Sequence, residues 1–235
     1  MAETTVDDWR RCRAIMRRAI SLAVLGAAPV HAQANSNVQS WATLTSDVQI
    51  APNTQITADF ITRSDPDRVN VGQLIVRGGL RQSLDAATSL TVNAGWFHNL
   101  RGNTPGSTEW RIGQYLTHRL IVRAPWTLDA RLGVEERLVE GQAGLGVRTR
   151  ERLRLTRRLS SLFEAQISQE TIFALNSTGW GQHSGFVASR IGGQLRIAVA
   201  PHVGIAPGYM WQLVGRRGAP ERNDHIVQVT IVAHF

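Results

Sequence analysis

From about residue 38 to the last residue, apolar and polar positions alternate in stretches of roughly ten to fourteen residues, separated by turn-forming residues. Over residues 126–138, Leu128, Ala130, Leu132 and Val134 alternate with Asp129, Arg131, Glu135 and Arg137. Over 89–98, Leu90, Val92, Ala94 and Trp96 alternate with Thr91, Asn93 and Gly95. The last stretch sets Val227, Val229, Ile231, Ala233 and Phe235 against Gln228, Thr230 and His234. A period of two sends successive side chains to opposite faces of a strand. The pattern predicts strands over 38–50, 54–63, 69–81, 89–98, 108–118, 126–138, 145–155, 162–172, 185–197, 202–213 and 225–235.

No run of roughly 18 apolar residues occurs beyond the leader, so no membrane helix is expected there. Repeated strands with one apolar face predict an all-β fold, a single antiparallel transmembrane β-barrel of about 10–12 strands preceded by a cleavable signal peptide. The count itself is uncomfortable. Single-chain bacterial barrels have even strand numbers, so one stretch is expected to be misassigned. The weakest is 38–50, whose faces are poorly separated, which leaves ten strands with an N-terminal appendage or twelve with one missed. Connections fall into two alternating sets. Those at 51–53, 82–88, 120–125, 157–161 and 198–201 are mostly short, whereas 64–68, 99–107, 139–144, 173–184 and 214–224 carry more Gly, Asn and charge. With Phe235 on the periplasmic side, the second set would be the external loops.

The leader changes where the chain is expected to work. Arg10, Arg11, Arg13, Arg17 and Arg18 precede the apolar run of residues 19–28, and Val30-His31-Ala32 forms an A-x-A-like cleavage site. Residues 1–32 therefore read as a signal peptide cleaved after Ala32, or after Ala34, with Met16 an alternative start, and 33–235 as the barrel domain. Cys12, the one cysteine of the chain, lies in the part to be removed, which excludes disulfide and thiolate chemistry from the mature protein. The formal charge of +8 comes from 26 basic residues, every one of them arginine. Export argues against a nucleic-acid partner for that charge and leaves an anion outside the cytoplasm.

Charge collects on the polar faces. Residues 145–155 place Arg148, Arg150, Arg152 and Arg154 on one face, opposite Leu145, Val147, Thr149, Glu151, Leu153 and Leu155. Asp59, Arg63, Arg77, Arg81, Glu109, Arg111, Asp129, Arg131, Glu135, Arg137, Glu164, Glu170, Arg190 and Arg196 join that polar face on other strands. Inside a closed barrel these would be lumen-lining. Neighbouring strands would then set acids beside arginines, with Arg148, Arg150, Arg152 and Arg154 in reach of Glu135, Asp129, Glu164 or Glu170. Arginines outnumber acids on these faces, which favours small anions in a wet lumen. A basic amphipathic helix through Leu155, Leu159 and Leu162 is the rival for this stretch, and the acids on the flanking strands argue against it. Glu151 would then face lipid near mid-strand.

Trp96, Trp110, Trp126 and Trp211 fall near predicted strand ends, as an interfacial aromatic girdle requires. A terminal strand ending in Phe235 is similar to the C-terminal signal of bacterial outer-membrane proteins. It implies outer-membrane lipids and the barrel-assembly machinery as partners. Catalysis has little to stand on, because His183 and Ser184 are adjacent and would point opposite ways in a strand. His98, His118, His202, His225 and His234 show no metal spacing. Asp65-Pro66-Asp67 reads as a turn. Asn176-Ser177-Thr178 matches a glycosylation sequon of no consequence in a bacterial-looking chain. No cofactor is implied.

Glu109-Trp110-Arg111, Arg148 to Arg154, Gln169-Glu170-Thr171-Ile172-Phe173, Arg190, Gly208-Tyr209 and His225 resemble, in order and spacing, the bacterial family called domain of unknown function 2490. The likeness runs from about Trp41 to Phe235 and departs at Gln169, where the family's pattern has Asn. It implies an outer-membrane barrel of unknown activity and brings no catalytic residues. The expectation is thus a porin-like protein of the bacterial outer membrane with an arginine- and carboxylate-lined lumen, structural or serving small-anion passage or binding. A soluble periplasmic β-barrel for an acidic or lipidic ligand, and a lipid-modifying enzyme, remain alternatives.

Overall fold

The computed structural model describes residues 36–64, 71–101 and 104–235. The leader assigned to residues 1–32 and the turn at Asp65-Pro66-Asp67 lie outside them. Eleven strands run in chain order: β1 (Ser36–Ala51), β2 (Thr54–Ser64), β3 (Val71–Ser83), β4 (Thr88–Arg101), β5 (Thr104–Arg123), β6 (Trp126–Val139), β7 (Gly146–Arg158), β8 (Phe163–Ala174), β9 (Gly185–Ala200), β10 (Val203–Val214) and β11 (Arg222–His234). Each pairs with the next in an antiparallel meander, and β1 closes the barrel on β11.

The closure corrects the expectation of an even strand number. β1 and β11 pair in parallel, from Ser36 opposite Asn223 to Asp47 opposite His234. In an up-and-down meander with an odd number of strands, the first and last run the same way, so only a parallel seam can close it. The stretch at 38–50 is therefore a wall strand and not an appendage. Its faces do separate: Gln39, Trp41, Thr43, Thr45 and Asp47 are inward and covered, while Val38 and Leu44 are exposed outside. Serines and alanine on the outer face had obscured the alternation.

A circuit of paired residues from Ala51 runs through Thr54, Gln82, Leu90, Leu116, Leu132, Glu151, Thr171, Ser189, Leu213 and Asn223 to Ser36. One turn around the wall thus travels the length of β1, which is the stagger that strongly tilted strands require. Phe235 sits beside the hairpin after β1, accepting the N–H of Gln49 at 2.8 Å. The brief turns before β2, β4, β6, β8 and β10 share that end, called here the turn end, and the opposite end, where β2, β4, β6, β8 and β10 finish, is the loop end.

The two faces are chemically unlike. Outside, Leu44, Phe60, Val76, Leu80, Leu116, Leu132, Ile167, Val227 and Ile231 are each exposed, part of an apolar surface carried by every strand. Inside lie the arginines, the carboxylates and a small apolar cluster of Ile61, Ile75 and Phe97. Large hydrophobic side chains are mostly outside and charges inside, the reverse of a soluble domain.

Candidate functional site

The lumen divides into two halves. Toward the loop end it is filled. Glu109 on β5 accepts two hydrogen bonds from Arg111, both at 2.9 Å, and is also paired with Arg137 of β6. Glu135 takes Arg148 and, at 3.1 Å, Arg150 from β7, with Arg111 at 3.6 Å. Glu170 on β8 binds Arg131 at 2.9 Å, Arg150 at 2.7 Å and Arg190 at 3.2 Å. Each acid is thus shared by two or three arginines from different strands, and each strand is tied through its charges to the next. Glu135 is 2 % exposed. A charge so covered survives only because its partners are equally fixed, since an unpaired one would cost several kcal/mol.

Rings fill the gaps between the guanidinium groups. Arg111 lies over Phe97 at 3.7 Å, Arg131 over Tyr115 at 4.7 Å, and Arg63 over Trp41 at 3.8 Å, with Arg190 also facing the Trp41 ring at 5.5 Å. Tyr115 is laid across the wall, where a Cβ on Gly133 would collide with its ring. Close packing here needs a glycine beneath the ring. At the seam, Asp224 is fully buried, held by Arg222 at 2.8 Å and by the Gln212 amide at 2.8 Å. The connection between β8 and β9 folds over this end. Gln182 is buried and accepts Arg137 Nη1 at 2.9 Å, and Trp180 donates to the Gly144 carbonyl at 2.9 Å while facing Arg137.

Toward the turn end the lumen is open. A cavity of about 820 Å³ is lined by residues of most strands, with Arg77, Arg81, Arg152, Arg154 and Arg196 among its cations and Asp47, Asp59, Asp129 and Glu164 among its acids. Arginines outnumber carboxylates on its wall. Between them stand Thr45, Thr57, Thr91, Thr117, Thr127 and Thr156, which are too small to meet across the space. Pairing is looser: Arg77 binds Asp59 at 2.6 Å and Arg154 binds Asp129 at 3.0 Å, but Arg119 reaches Asp129 only at 4.0 Å. At the mouth, Asp85 accepts the backbone N–H groups of Ala87 and Thr88, both at 2.7 Å, which holds its carboxyl below the usual carboxylate range.

The residues assigned from sequence distribute as follows. Arg111, Arg131, Glu135, Arg137, Arg148, Arg150, Glu170 and Arg190 meet in the filled half, whereas Asp129, Arg152, Arg154, Glu164 and Arg196 line the cavity, which Arg131 also borders. Of the four aligned arginines, Arg148, Arg150 and Arg154 reach the expected acids. Arg152 departs from the expectation: its register partner Glu170 is taken by three other arginines, and among the described residues it makes no ion pair. Among the described residues Glu164 accepts a side-chain hydrogen bond from Gln166 alone, at 2.8 Å, and Arg196 meets His234 at 2.5 Å. Glu151 is exposed on the outer face beside Leu132 and Thr171.

Trp96, Trp110 and Trp211 lie on the outer face toward the loop end, Trp96 directly opposite Trp110, while Trp126 and Phe235 are exposed at the turn end. Ser184 donates its N–H to Ser177 Oγ at 3.0 Å. Reasoning from sequence missed Trp41, Tyr115, Gln182, Gln212, Arg222 and Asp224. Asp224 belongs to β11, which begins before the predicted start at 225, and Gln182 sits in a connection where no periodicity could point to the lumen.

The family described as "Protein of unknown function (DUF2490)" matches residues 38–223. No curated protein matches the chain. Among solved structures, a "Bacterial polysaccharide outer membrane secretin" is similar with a TM-score of 0.50 at 11% identity, covering 77% of this chain and 64% of that one. The β domain of the Bordetella autotransporter BrkA gives 0.47 at 13% identity over 75% of this chain and 82% of that one. The translocator domain of autotransporter NalP from Neisseria meningitidis gives 0.41 at 12% over 75% and 72%. At these identities the likeness concerns the barrel fold alone. The chain spans about two thirds of the length of the secretin it resembles.

Proposed function

The chain belongs to the DUF2490 family of unknown function, and on that premise we propose that it is a signal-bearing protein of the bacterial outer membrane that binds small anions. The apolar outer surface carried by every strand supports the membrane placement, because a patch of that extent in water would drive association. Trp96, Trp110 and Trp211 at one end and Trp126 with Phe235 at the other are spaced as two interfacial belts. Leader cleavage after Ala32 and assembly through the strand ending at Phe235 belong to the same reading, with Phe235 and the turn end facing the periplasm.

The observation that carries the ligand class is the cavity of about 820 Å³ toward the turn end, whose lining holds more arginines than carboxylates. Since the loop half is packed with shared ion pairs, the lumen is a vestibule with a floor, suited to binding rather than to passage. Fractionation should place the mature chain in outer membranes, with a mobility that changes on heating before electrophoresis. In planar bilayers it should give no steady current. Calorimetry at low chloride should detect an anion such as inorganic phosphate. A chain found only in the soluble periplasm would overturn the placement, and a steady anion-selective current would return the lumen to a pathway.

A further inference from the structure

Beside the main cavity a smaller hollow of about 140 Å³ opens between β7, β8, β9 and β11, lined by Arg152, Arg154, Gln166, Ser168, Gln194 and Gln228, with Gly192 and Gly193 at its back. No carboxylate is in that lining. Hydrogen-bond donors, by contrast, are in surplus. Arg152 has no ion pair or side-chain hydrogen bond among the described residues, since both oxygens of Glu170 are taken by Arg131, Arg150 and Arg190. Arg154 spends Nε and Nη2 on Asp129 and keeps Nη1. Gln194 gives one N–H to Gln166 at 2.7 Å and has a second. The Ser168 hydroxyl and the Gln228 amide have no side-chain partner within the barrel among the described residues.

The hollow exists because two inward positions carry no side chain. A Cβ on Gly208 would stand 2.8 Å from Gln194 Cβ and 3.1 Å from Gln228 Nε2, so its absence lets those two amides converge across β10. A Cβ on Gly192 would be 3.1 Å from Met210 Cβ. A water takes about 30 Å³, so the space suits a phosphate-sized ion with a water or two. Donors arrive from four strands, whereas a planar carboxylate would be served by the two arginines alone.

We propose that this hollow is a binding site for a tetrahedral oxyanion of the phosphate type, free or as a phosphomonoester entering from the turn end, with Arg152 as its anchoring cation. This rests on the reading of the lumen as an anion vestibule and assigns the ligand class and the residue within it. Arg152 is then left without a carboxylate because the anion supplies the negative charge.

The test is titration calorimetry of the folded full-length barrel in detergent at low chloride, with inorganic phosphate, glycerol 3-phosphate and acetate as separate probes. Phosphate-type probes should bind, and acetate at least tenfold more weakly. Arg152→Gln should weaken them tenfold or more. Arg152→Lys, which keeps the charge and loses the fork, should fall between. Ser168→Leu fills the hollow without changing charge and should also abolish binding, which keeps the test open should Arg152→Gln fold poorly. Tighter glycerol 3-phosphate identifies an esterified ligand and tighter inorganic phosphate a free one. Binding by Arg152→Gln or Ser168→Leu equal to the parent overturns the site while leaving the vestibule intact. Acetate binding as tight as phosphate overturns the ligand class, and a parent that binds none of the three overturns both readings.

Discussion

The loop half and the turn half of one lumen are both built from arginines and acids, yet one is packed and the other encloses a cavity. In the loop half the residues between the charges include Ile61, Ile75, Phe97, Tyr115, Ile172 and Ile226, all buried, with the smaller Ala174 and Ala188 at its edge. In the turn half they are threonines, with Gly192, Gly204, Ala206 and Gly208 on β9 and β10. Charge count does not separate the halves; the volume of the neutral residues does. Where large side chains press the guanidinium groups onto carboxylates and rings, water is displaced and the ion pairs become structural. Where the neighbours are small, water enters, pairing loosens, and a cation can be left for a ligand.

The largest expected effect comes from breaking the packed half at its centre. Glu135→Gln keeps the volume and removes the charge shared by Arg148, Arg150 and Arg111, leaving buried Arg148 with no acid and Arg111 and Arg150 with one acid each. Breaking a buried pair from one side costs about 3–5 kcal/mol, which would appear as a lowered urea midpoint for loss of the heat-modifiable form. A midpoint unchanged from the parent would mean that water already reaches Glu135. Next in size is the cover over the packed half. Gln182→Ala leaves Arg137 without an acceptor at its Nη1 and frees the amide bonds to Val147 and Asn176. An unsatisfied buried group costs about 1–3 kcal/mol, and the variant should also begin to pass brief anion currents in a planar bilayer. Silence in the bilayer together with full stability would show that the cover contributes nothing to closure.

Alternation made the wall legible, because a barrel with an apolar face outside and charge inside repeats one rule on every strand. Val227 to Phe235 and Leu128 to Val134 could be assigned from the period alone. The seam was harder. Ser40 and Ser46 put polar atoms on the outer face of β1, so its period looked weak, and the parity of bacterial barrels then counted against a strand that is present. The arginine faces were readable for the same reason as the wall. Their partnerships were not, because a guanidinium reaches two strands away: Arg131 of β6 binds Glu170 of β8 across β7. The period of a strand gives the face of a residue and says nothing about which of several inward acids it will reach. Arg152 lost Glu170 to three competitors, an outcome set by three-dimensional crowding. Gln182 and Trp180 lie in a connection with no period at all.

Smaller effects sharpen the contrast. On the outer wall Glu151 stands in an apolar surface beside Leu132, so Glu151→Leu should raise stability in lipid by about 1–2 kcal/mol, short of the cost of a basic residue at mid-membrane. A fall in stability would instead assign Glu151 a polar partner on that face. In the turn half, Asp59→Asn removes the acid bound to Arg77, a pair whose arginine is 29% exposed to the cavity. Water and neighbouring threonines can then solvate Arg77, and the expected loss is under about 1 kcal/mol, the range of solvated pairs. The same carboxylate-to-amide change would thus cost several times less than at Glu135.

The smallest effect should have the opposite sign. Arg152 faces Arg131 across one ladder, Arg154 along its own strand and, across the other ladder, Glu170, which is bound by three other arginines. Truncating a charge normally loses a partner, but here it removes repulsion, by an amount that water in the cavity holds to about 0.5 kcal/mol or less. Arg152→Gln should therefore leave the urea midpoint unchanged or slightly raised in phosphate-free buffer. Adding phosphate should then raise the midpoint of the parent and leave that of the variant where it was, since a ligand stabilises only the folded form that binds it. A variant that loses stability as Glu135→Gln does would place Arg152 in the packed half after all, with a function in holding the wall and none in recognising an anion.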